Sequence, residues 1–167
     1  MKAKELIIRS LEESQGYMTK ALDGLTQEEV AWCPAGESNS IAFILWHTIL
    51  VEDIFINRVI QGGKEIYETE GWQEKLGTPT KVYQYTKEEV QTWPVPKLEV
   101  LKEYANSVQE RTMIFLKSIT AKKLDEVPLP DRSPNSIGTM LSHLCNEIAM
   151  HVGQIAYLRG IQRGLDK

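Results

Sequence analysis

Apolar residues recur every three or four positions along four long stretches of this chain, which is the spacing of amphipathic helices. The predicted helices cover about residues 3–22, 40–61, 96–118 and 135–160. Asp23-Gly24 ends the first and Gly62-Gly63 ends the second, while Ser40 and Ser136 supply N-caps. No stretch alternates apolar and polar residues as half-buried strands do. We therefore predict an all-α fold.

The connection between the second and third helices is the least regular part of the chain. Residues 62–96 contain three prolines and two tryptophans, and we expect one short helical turn near residues 72–75. A connection of this length can cross the molecule, so that the second and third helices run parallel. We predict an up-down-down-up four-helix bundle, formed as a single domain by residues 1–167.

The sequence also repeats itself. NSIAFILWH at residues 39–47 returns as NSIGTMLSH at residues 135–143, and LDGLTQEEVAW at 22–32 aligns with LKSITAKKLDE at 116–126. Two copies are too few for a solenoid, which needs at least about three repeats to bury its faces. The repeat therefore indicates one domain with an internal pseudo-twofold.

Composition narrows the class of protein. The chain has 19 Lys and Arg against 23 Asp and Glu, for a net charge of -4, and no basic patch, so we expect no nucleic-acid partner. The longest apolar run is too short to cross a membrane, and the first residues are typical of a helix rather than of a secretion signal. The two cysteines have no CxxC spacing, which favours a reduced, cytoplasmic protein.

The three histidines of the chain, His47, His143 and His151, are the candidate chemistry, and two of them end the repeated phrase. Between antiparallel helices, the height of His47 corresponds to the stretch from Glu147 to His151. Glu147 and His151 are four residues apart and share a helix face. Because a divalent cation would compensate a carboxylate buried beside two imidazoles, we expect His47, Glu147 and His151 to bind a metal. The alternatives are a surface Glu–His pair and histidines that are satisfied in the core.

Other polar or reactive side chains receive simpler roles. Glu52 and Asp53 follow the first histidine by about one turn, and we expect them to be solvated charges. Cys145 lies near the apolar face of its helix and is expected to pack there rather than to act as a nucleophile. Core packing, with pocket lining as the alternative, is expected of Trp46, Trp72 and Trp93.

Two motifs resemble a known family. SIAFILWHTILVED in the second helix and HLCNEIAMHVGQIAYLRG in the fourth are similar to motifs of the DinB-like (YfiT-like) superfamily of four-helix bundles, and the resemblance covers essentially the whole chain. Metal-binding histidines of the family map onto His47 and His151, and Gly153-Gln154 follows the latter. Glu147 stands where most members have a histidine. The pattern His143-Glu147-His151 resembles the branch near the mycothiol- and bacillithiol-dependent enzymes.

The resemblance implies a metal-dependent enzyme that acts on a small molecule and forms a homodimer. A site with two histidines and one carboxylate leaves coordination positions open, so that a bound thiol or water loses its proton readily. We expect zinc or nickel, with iron or manganese as alternatives, and a thiol S-transferase that uses a low-molecular-weight thiol. The alternatives are a metal-dependent hydrolase and a non-catalytic, metal-stabilised scaffold that binds a small molecule. His143 and Gln154 are the candidate catalytic residues.

Overall fold

The computed structural model describes residues 2–34 and 38–164, and that part of the chain contains helices but no strand. The helices are α1 Ala3–Leu22, α2 Gln27–Ala31, α3 Ile41–Asp53, α4 Ile66–Thr69, α5 Trp72–Leu76, α6 Lys87–Gln91, α7 Leu98–Ser118, α8 Ala121–Leu124 and α9 Ile137–Arg163. A π-helical segment, Ile54–Ile60, continues α3 without a break. The prediction of an all-α fold is confirmed. No helix in the described ranges combines the length and the apolar character needed to cross a membrane.

Equivalent caps begin the two repeated phrases. The Ser40 hydroxyl accepts a hydrogen bond from the backbone amide three residues on (3.1 Å) at the start of α3, and Ser136 does the same at the start of α9 (3.3 Å). Thr26 and Thr120 cap the short helices α2 and α8 in the same manner. The repeat in the sequence is therefore also a repeat of local structure, in which a long helix, a short capped helix and a second long helix follow one another.

Helix α1 packs against α7 and α9, and α3 packs against the same two helices. Ala3 lines a surface groove together with Ser136, at the start of α9. At the other end, the Arg159 guanidinium donates a hydrogen bond to the Ala21 carbonyl (3.2 Å). Helices α1 and α9 therefore run parallel.

Contacts of α7 give the remaining directions. The start of α1 lies beside the end of α7, because the Lys4 ammonium donates to two carbonyl oxygens there (3.0 and 3.1 Å). Leu45 of α3 lines one groove with Lys102, near the start of α7. Ile60 lines another cavity with Phe115, near its end. Helices α3 and α7 therefore run parallel, and the directions agree with the up-down-down-up order predicted from the sequence.

Two carboxylates at the end of α3 lie in the core, and the expectation that they are solvated charges was wrong. Glu52 is 4% exposed and Asp53 is fully buried. Asp53 accepts hydrogen bonds from four donors: Asn57 Nδ2 (2.7 Å), Ile66 N (3.0 Å), Tyr67 N (2.9 Å) and the Tyr104 hydroxyl (2.7 Å). Four donors replace the water that a buried carboxylate loses. Three of the four donors belong to residues 13 to 51 positions away in sequence, so helical periodicity could not reveal them.

Asp53 also anchors the crossover, residues 61–97, because two of its donors are backbone amides in the first turn of α4. Further along, the Tyr67 hydroxyl donates to the Thr78 carbonyl (2.7 Å). The crossover is thereby tied to α3 and runs back over one side of the molecule. The core holds all three tryptophans considered above, Trp46, Trp72 and Trp93. Cys145 is half-buried and packs against this core.

Candidate functional site

Two histidines from different halves of the chain meet between α3 and α9. The ring centres of His47 and His151 are 5.1 Å apart, and the ring planes stand at 86°. Helix α9 also carries Glu147, whose Oε2 lies 3.4 Å from His151 Nε2. The antiparallel packing of α3 and α9 therefore brings the two rings into contact and sets Glu147 beside one of them.

His151 is held in one tautomer by Gln154. His151 Nδ1 lies 2.9 Å from the Gln154 amide oxygen, and because that oxygen can only accept, Nδ1 carries the proton. The lone pair is then on Nε2, which is buried and has no hydrogen-bond partner. The Glu147 carboxylate approaches Nε2 to 3.4 Å without hydrogen-bond geometry, so it leaves this lone pair unoccupied. Nε2 is therefore free to bind a cation or a donor group.

His47 has a similar environment. Burial lowers the pKa of His47, and the neighbouring His151 ring acts in the same direction. The Glu147 carboxylate and a hydrogen bond with the Val82 backbone raise the pKa, but burial outweighs both. His47 Nδ1 is buried without a hydrogen-bond partner. Since neutral imidazole is the form that binds metals, the lowered pKa favours the ligand form at neutral pH.

Part of the crossover covers the histidines, and we call residues 79–86 the strap. The Tyr83 ring lies edge-on to His47, with ring centres 5.7 Å apart, and the Tyr85 ring lies edge-on to Phe43 at 5.2 Å. Between these aromatic residues, Gln84 has a left-handed backbone with φ of 62°. The strap and α3 enclose a cavity of about 350 Å³, and both His47 and His151 line it. The histidines are therefore reached through a partly aromatic cavity.

Local contacts hold the strap in its shape. The Tyr85 hydroxyl donates to the Lys81 carbonyl, and the Lys81 ammonium pairs with both carboxylate oxygens of Glu89 (2.8 and 2.7 Å). Burial and the Glu89 carboxylate raise the pKa of Tyr85 to about 12, and burial and Glu147 raise that of Tyr83. Both side chains are therefore neutral phenols at neutral pH, able to donate or accept a hydrogen bond.

The separation of the two imidazole rings is close to that of two ligands of one metal ion. Ligand nitrogens about 2.0–2.1 Å from one zinc ion place their ring centres about 5 Å apart and neighbouring ligand atoms about 3–3.5 Å apart. The observed 5.1 Å between rings and 3.4 Å from His151 to Glu147 match these values. No group of three or more His, Cys, Asp or Glu side chains arranged to hold a metal occurs among residues 2–34 and 38–164. Glu147, which is 42% exposed, must therefore rotate before it can complete a set with His47.

Comparison with known proteins identifies the family. The family model of the DinB superfamily matches residues 10–155. The chain belongs to the DinB superfamily. A crystal structure of a conserved protein from Enterococcus faecalis has a TM-score of 0.85 and 23% sequence identity, covering 96% of this chain and 97% of that one, which shows a shared fold. None of the curated proteins compared with the chain matches it.

In this DinB-superfamily chain, the two candidate catalytic residues lie in different environments. Gln154 contacts His151 and does not line the cavity, and its catalytic role stays a prediction from the sequence. His143 is exposed on α9, two turns before His151, and does not line the cavity. A role for His143 as proton shuttle stays a prediction from the sequence.

The strap supplies the residues of the site that sequence analysis missed. Val82, Tyr83 and Tyr85 all line the cavity over the histidines. Their only signal in the sequence is the apolar and aromatic content of KVYQY, residues 81–85, within a segment that has no helical period. Which part of a long connection crosses a given helix depends on its anchors, and no local pattern identifies those anchors.

Proposed function

We propose that this DinB-superfamily protein is a divalent-metal-dependent enzyme acting on a small molecule, with thiol S-transfer as its reaction. One observation carries the metal proposal: His47 Nδ1 and His151 Nε2 are buried without hydrogen-bond partners, on rings whose centres are 5.1 Å apart. A buried polar atom without a partner costs about 1–3 kcal/mol, and two such atoms on neighbouring rings favour a shared ligand. A divalent cation satisfies both lone pairs at once.

Each residue of the site has a separate role in this proposal. His47 and His151 would bind the metal, zinc or nickel first, and Glu147 would rotate inward as the third ligand. Gln154 would keep the His151 proton on Nδ1, as residues behind a metal ligand commonly do. A bound metal supplies acidity, lowering the pKa of a thiol or water that reaches it. The choice of a thiol over water rests on the resemblance of His143-Glu147-His151 to the mycothiol- and bacillithiol-dependent branch.

The cavity supports an enzyme more than a closed structural site. A structural zinc site is completed by a fourth protein ligand. Among the described residues that line the cavity, the only side chains of the usual zinc-binding types are His47 and His151. The remaining positions are therefore open to a substrate from the cavity side. Homodimerisation and a cytoplasmic location remain predictions from the sequence.

Metal analysis of tag-free protein tests this proposal. Protein prepared without chelator is titrated with zinc and with nickel by calorimetry, and its metal content is measured after dialysis. We expect one metal per chain in the natural sequence and in His143→Ala, and none in His47→Ala or His151→Ala. His143→Ala is the matched control, because it removes a histidine from the same helix outside the cavity. Circular dichroism establishes that each variant is folded.

The results separate the alternatives. Equal metal content in all four proteins would show that the two buried histidines are not the ligands. Stoichiometric metal with turnover of a thiol and an electrophile supports S-transfer, whereas turnover of an ester or amide alone supports a hydrolase. Stoichiometric metal without turnover in either screen supports the non-catalytic scaffold.

A further inference from the structure

The two histidines form the floor of the cavity, and the side chains of its walls are chemically different from them. Besides the two histidines, the lining is mostly apolar or aromatic and includes Phe43, Ile44, Val82, Tyr83, Tyr85 and Val90. The other polar side chains that line it, Asn39 and Gln84, are uncharged amides. No Lys, Arg, Asp or Glu of the described ranges lines the cavity. The wall thus offers dispersion, ring contacts and neutral hydrogen bonds, but no countercharge.

The absence of a lining cation matters because the Glu147 carboxylate acts on residues of this cavity. Glu147 acts electrostatically on both His47 and Tyr83, which line the cavity. In the metal-free protein, an anionic ligand would lose water on entering, meet no lysine or arginine among the described lining residues, and be repelled by Glu147. A neutral ligand avoids both costs.

Tyr83 offers the most accessible ring of this wall. Its side chain is 61% exposed and its ring stands edge-on above His47, so one face remains available to a ligand. Gln84 directs this ring, because its left-handed backbone turns the strap so that Tyr83 meets His47 while Tyr85 meets Phe43. The cavity volume of about 350 Å³ lies at the lower end of the roughly 300–1,000 Å³ typical of small-molecule sites, which suits a single substituted ring.

We propose that this cavity selects a neutral substrate carrying an aromatic ring, which packs against Tyr83. The inference rests on the proposed function in one respect, because it names the substrate class of the same site. It differs from that function in needing no metal: the recognition comes from the wall, and the reaction would take place at the floor.

Proton NMR of the metal-free protein tests the proposal. The chain has three histidines, so single His→Gln variants assign the ring signals of His47 and His151. The probes are benzyl alcohol, benzoate and 1-butanol. Benzoate differs from benzyl alcohol in carrying a negative charge, and 1-butanol differs from it in lacking the aromatic ring. We expect benzyl alcohol to shift both histidine signals, with an affinity about tenfold above that of benzoate and of 1-butanol.

Two variants locate the contact. Ring–ring packing contributes about 0.5–1.5 kcal/mol, so Tyr83→Ala should weaken benzyl alcohol binding about three- to tenfold. Tyr157→Ala is the matched control, since that tyrosine is 71% exposed on α9 and does not line the cavity. Benzoate binding as tightly as benzyl alcohol, an unchanged affinity in Tyr83→Ala, or unmoved histidine signals would each overturn the proposal. A separate zinc titration tests the metal site by itself, so that a failure of the metal proposal is distinguished from a failure of the substrate proposal.

Discussion

Replacement of Glu52 by glutamine should stabilise the protein at alkaline pH relative to acidic pH. Glu52 is 4% exposed, and its Oε1 has no hydrogen-bond partner. Burial raises the pKa of Glu52, the Thr112 hydroxyl lowers it and the neighbouring Asp53 carboxylate raises it, so that the net pKa is about 7 against an ordinary 4.5. The folded protein therefore retains a proton that the unfolded chain has already lost near pH 6.

The sign follows from proton linkage. Below pH 4.5 the carboxyl is protonated in both states, so it makes no pH-dependent contribution. As the pH rises from 4.5 to about 7, the unfolded state binds fewer protons than the folded state, and the free energy of unfolding falls. The interval corresponds to about 3 kcal/mol, at about 1.4 kcal/mol for each pH unit. Above pH 7 the loss is complete.

Urea denaturation at pH 5 and pH 8 measures this contribution. Glutamine has nearly the same shape but does not ionise, so the stability of Glu52→Gln relative to the natural sequence should rise by about 2–3 kcal/mol between the two pH values. Comparing two pH values cancels any fixed cost of burying the amide. Glu12→Gln, on the exposed face of α1, should show no such change. A constant stability difference for Glu52→Gln from pH 5 to pH 8 would refute the reasoning, because the buried carboxyl would then not hold its proton.

Three further substitutions test the contacts that position the site. Asp53→Ala should lower the free energy of unfolding by at least about 3 kcal/mol in urea denaturation, because it strands buried donors, including two backbone amides of α4. A loss below about 1 kcal/mol would mean that water replaces the carboxylate. Gln84→Val should unfold about 1–2 kcal/mol more easily than Gln84→Gly, since a β-branched residue resists the left-handed backbone at this position. Equal stabilities would argue against that geometry. Gln154→Ala should weaken zinc binding by about 10- to 100-fold in calorimetry, because His151 loses the partner that sets its tautomer. Unchanged affinity would assign Gln154 no part in the site.

The sequence predicts the long helices well, since each has enough turns for its apolar period to show. Helix α1 has the bounds expected of it, and the caps at Ser40 and Ser136 begin α3 and α9 as expected. The predicted second helix differs in one respect: after Asp53 it continues as a π-helical segment. Helices α4, α6 and α8 escaped prediction because four or five residues cover little more than one turn, too short for a period.

The sequence also predicted that His47 and His151 lie close together. Their heights along two antiparallel helices could be counted, because an α-helix rises by a constant amount per residue. That count needs only the helix directions, which the repeat and the long crossover indicated. The structure places the two rings 5.1 Å apart, but it leaves Glu147 short of the three-donor group that the count suggested. The rotamer of a half-exposed side chain is not set by helix geometry.

What the sequence determined by itself is whatever local chemistry controls: the helices, their caps, the repeat and the height of each histidine. The tertiary structure alone decided which carboxylates are buried and what covers the histidines. Glu52 and Asp53 are neighbouring carboxylates on one helix and look alike in the sequence. Asp53 accepts hydrogen bonds from four donors, whereas Glu52 is left with an unpaired oxygen. The strap reaches His47 because Asp53 fixes where the crossover starts. Contacts between elements far apart in sequence decide burial and cover, and no periodic pattern along the chain encodes them.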